Sequence, residues 1–275
     1  MNIVCCLKQV PDTAQIKIDP ETNTLIRAGV ESILNPYDLV ALEQAVRLKE
    51  IHGGKVTAVS MGPPQAESVL RLALSMGADH GVLLSDRAFA GADTLATSYT
   101  LAMAIGKIGA QSPVDLILCG KQAIDGDTAQ TGPGIATRMK ITQLSYVSKV
   151  QWVDPEKREI QVVRKLDKGN EVIRGKLPAL LTVEMELAKP RRASLPAMIH
   201  SLTAPIDVWN AEDISAVKNM IGIKGSPTWV RKISSPPQKE GGPKFYAHPD
   251  PEQAVSEFLE ILLAQDPFSS NRLKP

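Results

Sequence analysis

The sequence predicts an α/β fold: a mostly parallel, doubly wound sheet of the adenine-nucleotide-binding, Rossmann-like type, with an antiparallel extension and a C-terminal arm ending in a helix. Three observations carry it. Short apolar runs alternate with helical patterns over residues 1 to about 150, as a parallel sheet with crossover helices requires. Beyond residue 150 the apolar runs are separated by polar turns, the pattern of antiparallel strands. Residues 222 to 250 are rich in Gly, Pro, Ser and Lys, which suits an extended arm rather than core. The expected division is a nucleotide-binding domain over 1–221 and an arm with its terminal helix over 222–275.

Ile3 to Leu7 is the first predicted strand. Asn35-Pro36 supplies a cap and a proline at the first helical position, and Leu39, Leu42, Ala45 and Val46 follow at helical spacing until Gly53-Gly54. Lys55 to Ser60 is the next strand, and Met61-Gly62-Pro63-Pro64 turns into a helix carrying Val69, Leu70, Leu72, Ala73 and Met76, with Gly77 as its stop. Gly81 to Ser85 makes another strand, after which Asp93-Thr94 caps a helix running to about Lys107. Val114 to Cys119 reads as a buried parallel strand. Val147–Trp152, Glu159–Leu166 and Glu171–Lys176, with turns at Asp154-Pro155 and Lys168-Gly169-Asn170, read as antiparallel strands, and Leu180 to Leu187 as a further strand. Arg191 to Met198 is expected as a surface loop or short helix. From Pro251 to about Gln265 a helix carries Ala254, Val255, Phe258, Leu259, Ile261, Leu262 and Leu263, a broad apolar stripe that folds back on its own domain or, as the long polar tether favours, docks on another subunit.

The most informative stretch follows the Val114–Cys119 strand: Gly120-Lys121-Gln122-Ala123-Ile124-Asp125-Gly126-Asp127-Thr128-Ala129-Gln130-Thr131-Gly132-Pro133. It leaves the carboxyl end of a strand and enters a helix through small, hydroxylated residues, a junction that suits a nucleotide phosphate. Gly126 lets backbone approach closely, and Thr128 and Thr131 offer hydroxyls. Asp125 and Asp127 cannot both face phosphate; the consistent assignment makes one an N-cap and turns the other toward ribose hydroxyls. The same residues fit an ordinary Asp-Gly turn before a capped helix. Four strand-to-helix junctions, near Asn35, Met61, Asp93 and Asp125, share one edge of a parallel sheet, which converts separated loops into a single candidate pocket.

Composition narrows the classes. The chain has 275 residues, 43% of them hydrophobic, enough for a sizeable core. With 31 basic and 30 acidic residues its formal charge is +1, which points to neither nucleic acid nor a membrane surface. Met1 to Lys8 lacks a basic leader followed by a long apolar run, so no transmembrane segment and a cytoplasmic location are expected. Three cysteines without C-x-x-C spacing and four scattered histidines suggest neither a disulfide framework nor a metal site. G-x-S-x-G, Walker and G-x-G-x-x-G patterns are missing, which removes the usual hydrolase, P-loop and dinucleotide signatures.

Several stretches then carry a resemblance. Leu7-Lys8-Gln9-Val10-Pro11-Asp12, Asn35-Pro36-Tyr37-Asp38, Ala58 to Pro63, Gly120 to Thr131 and the region from Asp167 to Thr182 resemble, in order and spacing, the β subunit of electron-transfer flavoproteins. In the last region Asp167, Gly169, Glu171, Pro178 and Ala179-Leu180-Leu181-Thr182 fit, while Lys168 stands where the family has Gly or an acid, a turn variation. Pro190-Arg191 and Ser194-Leu195-Pro196, in a segment of about 190–200, are similar to the family's recognition loop, whose leucine anchors a partner dehydrogenase.

The resemblance implies an obligate heterodimer with an α subunit that carries an electron-transferring FAD on a mobile domain. In ordinary members the β subunit holds a structural AMP; in bifurcating members FAD fills that site. Asp125 to Pro133 and Ser85-Asp86-Arg87 through Ser98 resemble the bifurcating kind. That implies FAD accepting hydride from NADH, one electron passing to ferredoxin or flavodoxin and the other, through the α-subunit FAD, to a partner flavin dehydrogenase of acyl-CoA or 2-hydroxyacid type. By position the nucleotide contacts are Cys6, through its backbone, Asn35, Pro36, Tyr37, Asp38, Met61 and Gly120 to Thr131, with Asp93, Thr94 and Thr97 on the flavin side. Arg87 is implied as a charge partner of reduced flavin or NADH, Glu171 as an interdomain contact, and Arg191, Leu195 and Met198 as partner-docking residues. Each has a plainer reading: capping and a solvated helix face for Thr94 and Thr97, a surface ion pair for Arg87, an exposed strand carboxylate for Glu171, and a proline-stiffened turn over the domain's own core for Leu195. Two competing functions stand beside this one: an ordinary β subunit with structural AMP and no NADH reaction, and a stand-alone nucleotide-binding module of universal-stress type.

Overall fold

The computed structural model describes residues 1–12, 17–18, 25–26, 32–229 and 250–264. Strands are β1 (Asn2–Leu7), β2 (Gln9–Pro11), β3 (Lys17–Ile18), β4 (Leu25–Ile26), β5 (Ser32–Leu34), β6 (Lys55–Met61), β7 (His80–Leu84), β8 (Leu116–Gly120), β9 (Thr142–Asp154), β10 (Glu159–Leu166), β11 (Gly169–Lys176), β12 (Ala179–Val183) and β13 (Ile206–Trp209). Helices are α1 (Pro36–His52), α2 (Glu67–Met76), α3 (Thr94–Gln111), α4 (Thr131–Met139), α5 (Leu195–Thr203) and α6 (Pro251–Ala264).

Nine strands form one sheet in the order β11-β10-β9-β12-β8-β1-β6-β7-β13. From β12 to β13 all neighbours run parallel, and only β9–β10 and β10–β11 are antiparallel. β1, β8 and β12 are buried along their whole lengths, as their unbroken apolar runs require between two helical layers. Alternate residues of β1 feed opposite cores: Ile3, Cys5 and Leu7 pack with α1 and α2, whereas Val4 and Cys6 pack with α3 and α4. The fold class read from the sequence is the one observed.

Three strands of this sheet differ from expectation, and the short strands β2 to β5 were not expected. β9 begins at Thr142 rather than Val147; its first residues pair parallel with β12 and the rest antiparallel with β10, so one strand joins the two parts of the sheet. A bulge makes the change of partner: Tyr146 has φ +59°, and its N–H donates to Thr182 Oγ1 at 3.1 Å, where the β9–β12 register shifts. The run expected as one strand from Leu180 to Leu187 ends at Val183, because Glu184 leads into a 3-10 turn over Met185–Leu187. β13, four residues long, adds parallel to β7 and has no apolar run to announce it.

The chain divides into two compact units, Met1–Ile233 and Ser234–Pro275. Residues up to 229 pack with the first unit: Ile221 is buried, and Ser226 Oγ accepts the Asp93 N–H at 2.8 Å. In the second unit, α6 carries an exposed apolar face that includes Val255, Leu259 and Leu263. No helix among the described residues is long and apolar enough to cross a membrane.

Candidate functional site at the carboxyl edge of the sheet

β1, β6, β7 and β8 all point their carboxyl ends to one edge, and the side chains there lock the connecting loops together. Asp38, on the first turn of α1, is buried; its Oδ2 accepts the Lys8 N–H at 2.9 Å and its Oδ1 the Gly120 N–H at 2.8 Å. Burial pushes the Asp38 carboxyl up to about 6, against the lowering effect of those two N–H donors. Gly120 is required by this closeness: a Cβ there would lie 2.5 Å from Asp38 Oδ1 and 2.5 Å from Tyr37 Cβ.

Asn35, expected as the side-chain cap of α1, does not cap it. Its amide faces the 120–131 loop instead, donating to Gln122 O at 2.9 Å and accepting the Ile124 N–H at 3.2 Å. Pro36 takes the first helical turn as expected. Lys8 reaches the same loop and pairs with Asp125 at 2.7 Å. Cys6 lies one residue beyond the last β1–β8 pair, Cys5 with Leu118, and Met61 is half-buried at the end of β6. The Cys6 thiol is pushed up to about 12 by burial and then by Asp38, so it stays neutral at physiological pH.

The N-cap expected of one of the two aspartates is not formed. Asp125 is consumed by Lys8, and Asp127 accepts from Gln122 Nε2 at 2.8 Å. Neither caps α4, which starts only at Thr131 with Gln130 before it. The delay has a backbone cause: Asp127 and Ala129 are left-handed, at φ +48° and +54°, a conformation that cannot continue a helix. A turn closes first, with the N–H groups of Gly126 and Asp127 both donating to Ala123 O. Past it, the N–H groups of Thr128, Ala129 and Gln130 have no acceptor among the described residues. Left-handed Ala129 followed by right-handed Gln130 at the start of a helix forms an N–H concavity of the kind that holds anions. No atom of the described chain lies within 4 Å of where a Gly126 Cβ would stand, so that glycine faces open space. Exposed backbone donors, strained non-glycine residues and an open approach are what a bound nucleotide phosphate needs, so the residues present fit one.

Around this loop, Thr94 Oγ1 donates to Gln130 Oε1 at 2.8 Å and so joins α3 to the entrance of α4. Asp93 is spent on structure: Oδ1 caps α3 by accepting the Leu95 and Ala96 N–H groups, and Oδ2 accepts from Thr228. Those bonds outweigh partial burial and hold its carboxyl below the usual range. Thr97 is half-buried on the first turn of α3. Lys121 pairs with buried Glu184 at 3.1 Å, with its ammonium 5.4 Å from the Tyr146 ring centre. Arg87 lies outside the 120–131 loop, in a cleft of about 720 Å³ whose other charged lining residues are Asp86, Glu212, Lys218 and Lys224.

A family model described as "Electron transfer flavoprotein domain" matches residues 22–214. The chain belongs to the electron-transfer flavoprotein family, as a β subunit. It is 48% identical over 271 residues to "Protein FixA" of Azotobacter vinelandii, spanning 97% of this chain and 96% of that one. It is 50% identical over 242 residues to "Electron transfer flavoprotein subunit beta" of Clostridium acetobutylicum, covering 88% and 91% of the two chains. The corresponding protein of Thermoanaerobacterium thermosaccharolyticum is 48% identical over 263 residues, 95% of this chain and 98% of the relative. A β subunit implies an α-subunit partner, and the family implies a flavin or AMP in the assembled complex.

The remaining residues singled out for this electron-transfer flavoprotein subunit divide in two. Leu195 and Met198 are exposed on α5, a helix capped by Ser194 Oγ accepting the Ala197 N–H at 3.3 Å; Leu195 does not cover the domain's own core. Arg191 is turned inward, onto Glu43 and Glu50 of α1, and is no free docking cation. Glu171 pairs with Arg164 at 2.6 Å across β10–β11. Lys8, Glu43 and Glu184 were given no role from the sequence, because a charged residue gives no local sign that a partner such as Asp125, Arg191 or Lys121 lies far along the chain.

Proposed function

We propose that this β subunit, with its α subunit, forms an electron-bifurcating flavoprotein in which FAD occupies the carboxyl-edge site. The observation that carries the reading is the 120–131 loop, where acceptor-free N–H groups at Thr128, Ala129 and Gln130 lie beside open space at Gly126. Those donors hold the pyrophosphate, the Thr128 and Thr131 hydroxyls add to them, and Asn35 keeps the loop at its distance from α1. When bound, the flavin supplies hydride acceptance from NADH and the division of its electrons between ferredoxin or flavodoxin and the α-subunit FAD. The chain sets position and electrostatics: Lys8 neutralises Asp125, so the loop presents less negative charge to phosphate. Arg87, with Lys218 and Lys224 in a cleft that also holds Asp86 and Glu212, supplies positive charge just past the carboxyl end of β7. Electrons leave to a flavin dehydrogenase that docks on the exposed apolar face of α5.

Acid extraction of the purified heterodimer followed by chromatography tests this. Two FAD and no AMP per heterodimer is the expected result. One FAD with one AMP assigns the chain to the ordinary class, in which AMP is structural and NADH does not react.

A further inference from the structure

α5 is built inside out. Leu195, Met198, Ile199 and Leu202 fall at i, i+3, i+4 and i+7, one stripe of the helix, and are 69%, 51%, 60% and 71% exposed, whereas the one buried residue of the helix is Ser201. Apolar burial therefore does little to hold this helix down. Two arginines do so instead. At its far end Arg71 of α2 donates to the Ser201 carbonyl at 2.7 Å and to that of Ala204. On its approach, Arg191 is gripped by α1: Glu43 Oε2 accepts the Arg191 N–H at 3.0 Å and its Nε at 2.8 Å, and Glu50 Oε2 accepts its Nη2 at 3.0 Å. Arg47 completes the grip, giving Nε to Glu43 at 2.6 Å and Nη2 to the Lys189 carbonyl at 3.1 Å.

Glu43 is the centre of this arrangement. Its side chain is 2% exposed, and both carboxylate oxygens are taken by arginine. A buried carboxylate is costly unless paired in this way, and a covalently short chain, Arg191 to Ser194, then leads straight into α5. We propose that Glu43 is a positioning residue for partner docking: through Arg191 it fixes the 189–194 segment and thereby presents the α5 stripe as a rigid surface. The proposal rests on the reading of α5 as the docking face. Preorganisation of this kind acts on affinity, because an interface that is already ordered loses less conformational entropy on association.

The test uses the heterodimer with Glu43→Gln and, as the milder variant, Arg191→Lys, which keeps the charge and removes the two-pronged guanidinium geometry. Hydrogen exchange is followed at residues 190–199 and in β1, β6 and β8, and electron transfer is measured from a purified acyl-CoA dehydrogenase reduced by its acyl-CoA, with the heterodimer as the varied substrate. Exchange in 190–199 is expected to rise about tenfold with the sheet strands unchanged. The KM for heterodimer is expected to rise about fivefold at constant kcat, a loss confined to binding. Exchange that stays at wild-type level in both variants overturns the proposal, as does a rise spread equally through the sheet. If Leu195→Ala leaves the KM unchanged, or the wild-type heterodimer takes no electrons from this donor, the docking reading of α5 itself falls, whatever the exchange shows.

Discussion

Asp38 and Gly120, 82 positions apart in sequence, are joined by a 2.8 Å hydrogen bond at the carboxyl edge of the sheet. The other oxygen of the same carboxylate holds Lys8, so one side chain of α1 sets the spacing between the ends of β1 and β8, from which the 120–131 loop departs. An acid in this place makes stability depend on pH in an unusual direction. Its folded value, about 6, is above the ordinary 3.8, so the folded state binds the proton more tightly than the unfolded state. The stabilisation from protonating Asp38 is thus fully present below about pH 4 and is lost as pH rises through about 6. The difference is on the order of 3 kcal/mol at most. Urea unfolding of wild type and Asp38→Asn heterodimers at several pH values isolates it: between pH 4 and 6 the wild type is expected to lose stability relative to the variant. Parallel curves would mean that Asp38 does not titrate there.

Much of this edge was legible in the sequence. The alternation from Ile3 to Cys119 gave β1, α1, β6, α2, β7, α3 and β8, because each element repeats its own period and ends at a local signal such as Gly53 or Gly77. What was not legible rests on distant pairs. Nothing near Asn35 says that its amide serves residues 122 and 124 rather than its own helix. Nothing near Arg191 says that it faces Glu43, 148 positions earlier. The N-cap expected of Asp125 or Asp127 failed for the same reason: Lys8 and Gln122 bind them, and left-handed Asp127 and Ala129 move the helix start to Thr131. The parallel insertion of β12 between β9 and β8 had a sign in its unbroken apolar run, whereas β13 is too short for any periodicity to show.

Two glycines of the loop separate packing from ligand approach. Gly120→Ala puts a methyl 2.5 Å from Asp38 Oδ1 and 2.8 Å from the Tyr37 carbonyl carbon, so backbone must shift. A loss of about 1 to 3 kcal/mol is expected, as for other overpacking changes. Gly126→Ala meets nothing within 4 Å and is expected to leave thermal stability unaltered while lowering nucleotide content. Thermal melts and nucleotide extraction on both heterodimers check the contrast; equal nucleotide content in wild type and Gly126→Ala would place the ligand away from this loop.

Thr128 stands between the two left-handed residues, three positions before α4, and is exposed with a free N–H. Thr128→Glu adds a carboxylate to a loop where Lys8 already balances only Asp125. At a surface-like effective dielectric, two unit charges near 4 Å repel by about 4 kcal/mol, a loss of roughly a thousandfold in binding. The purified variant is therefore expected to retain the α-subunit flavin and lose the β-subunit nucleotide. Full content after the substitution would move the phosphates elsewhere.

Leu195 opens the α5 stripe and is exposed, so its truncation removes contact area without opening a cavity. Leu195→Ala is expected to keep fold and nucleotide content, because the cap from Ser194 and the clamps at Arg71 and Arg191 remain. Electron transfer between the heterodimer and the partner dehydrogenase is expected to need about tenfold more heterodimer, the effect of losing about 1 to 2 kcal/mol at an interface anchor. Titrating the heterodimer against a reduced acyl-CoA dehydrogenase, with thermal melts on the same preparation, separates the two roles. A lowered melting temperature with unchanged KM would make Leu195 a packing residue and leave the exposed face of α5 without this partner.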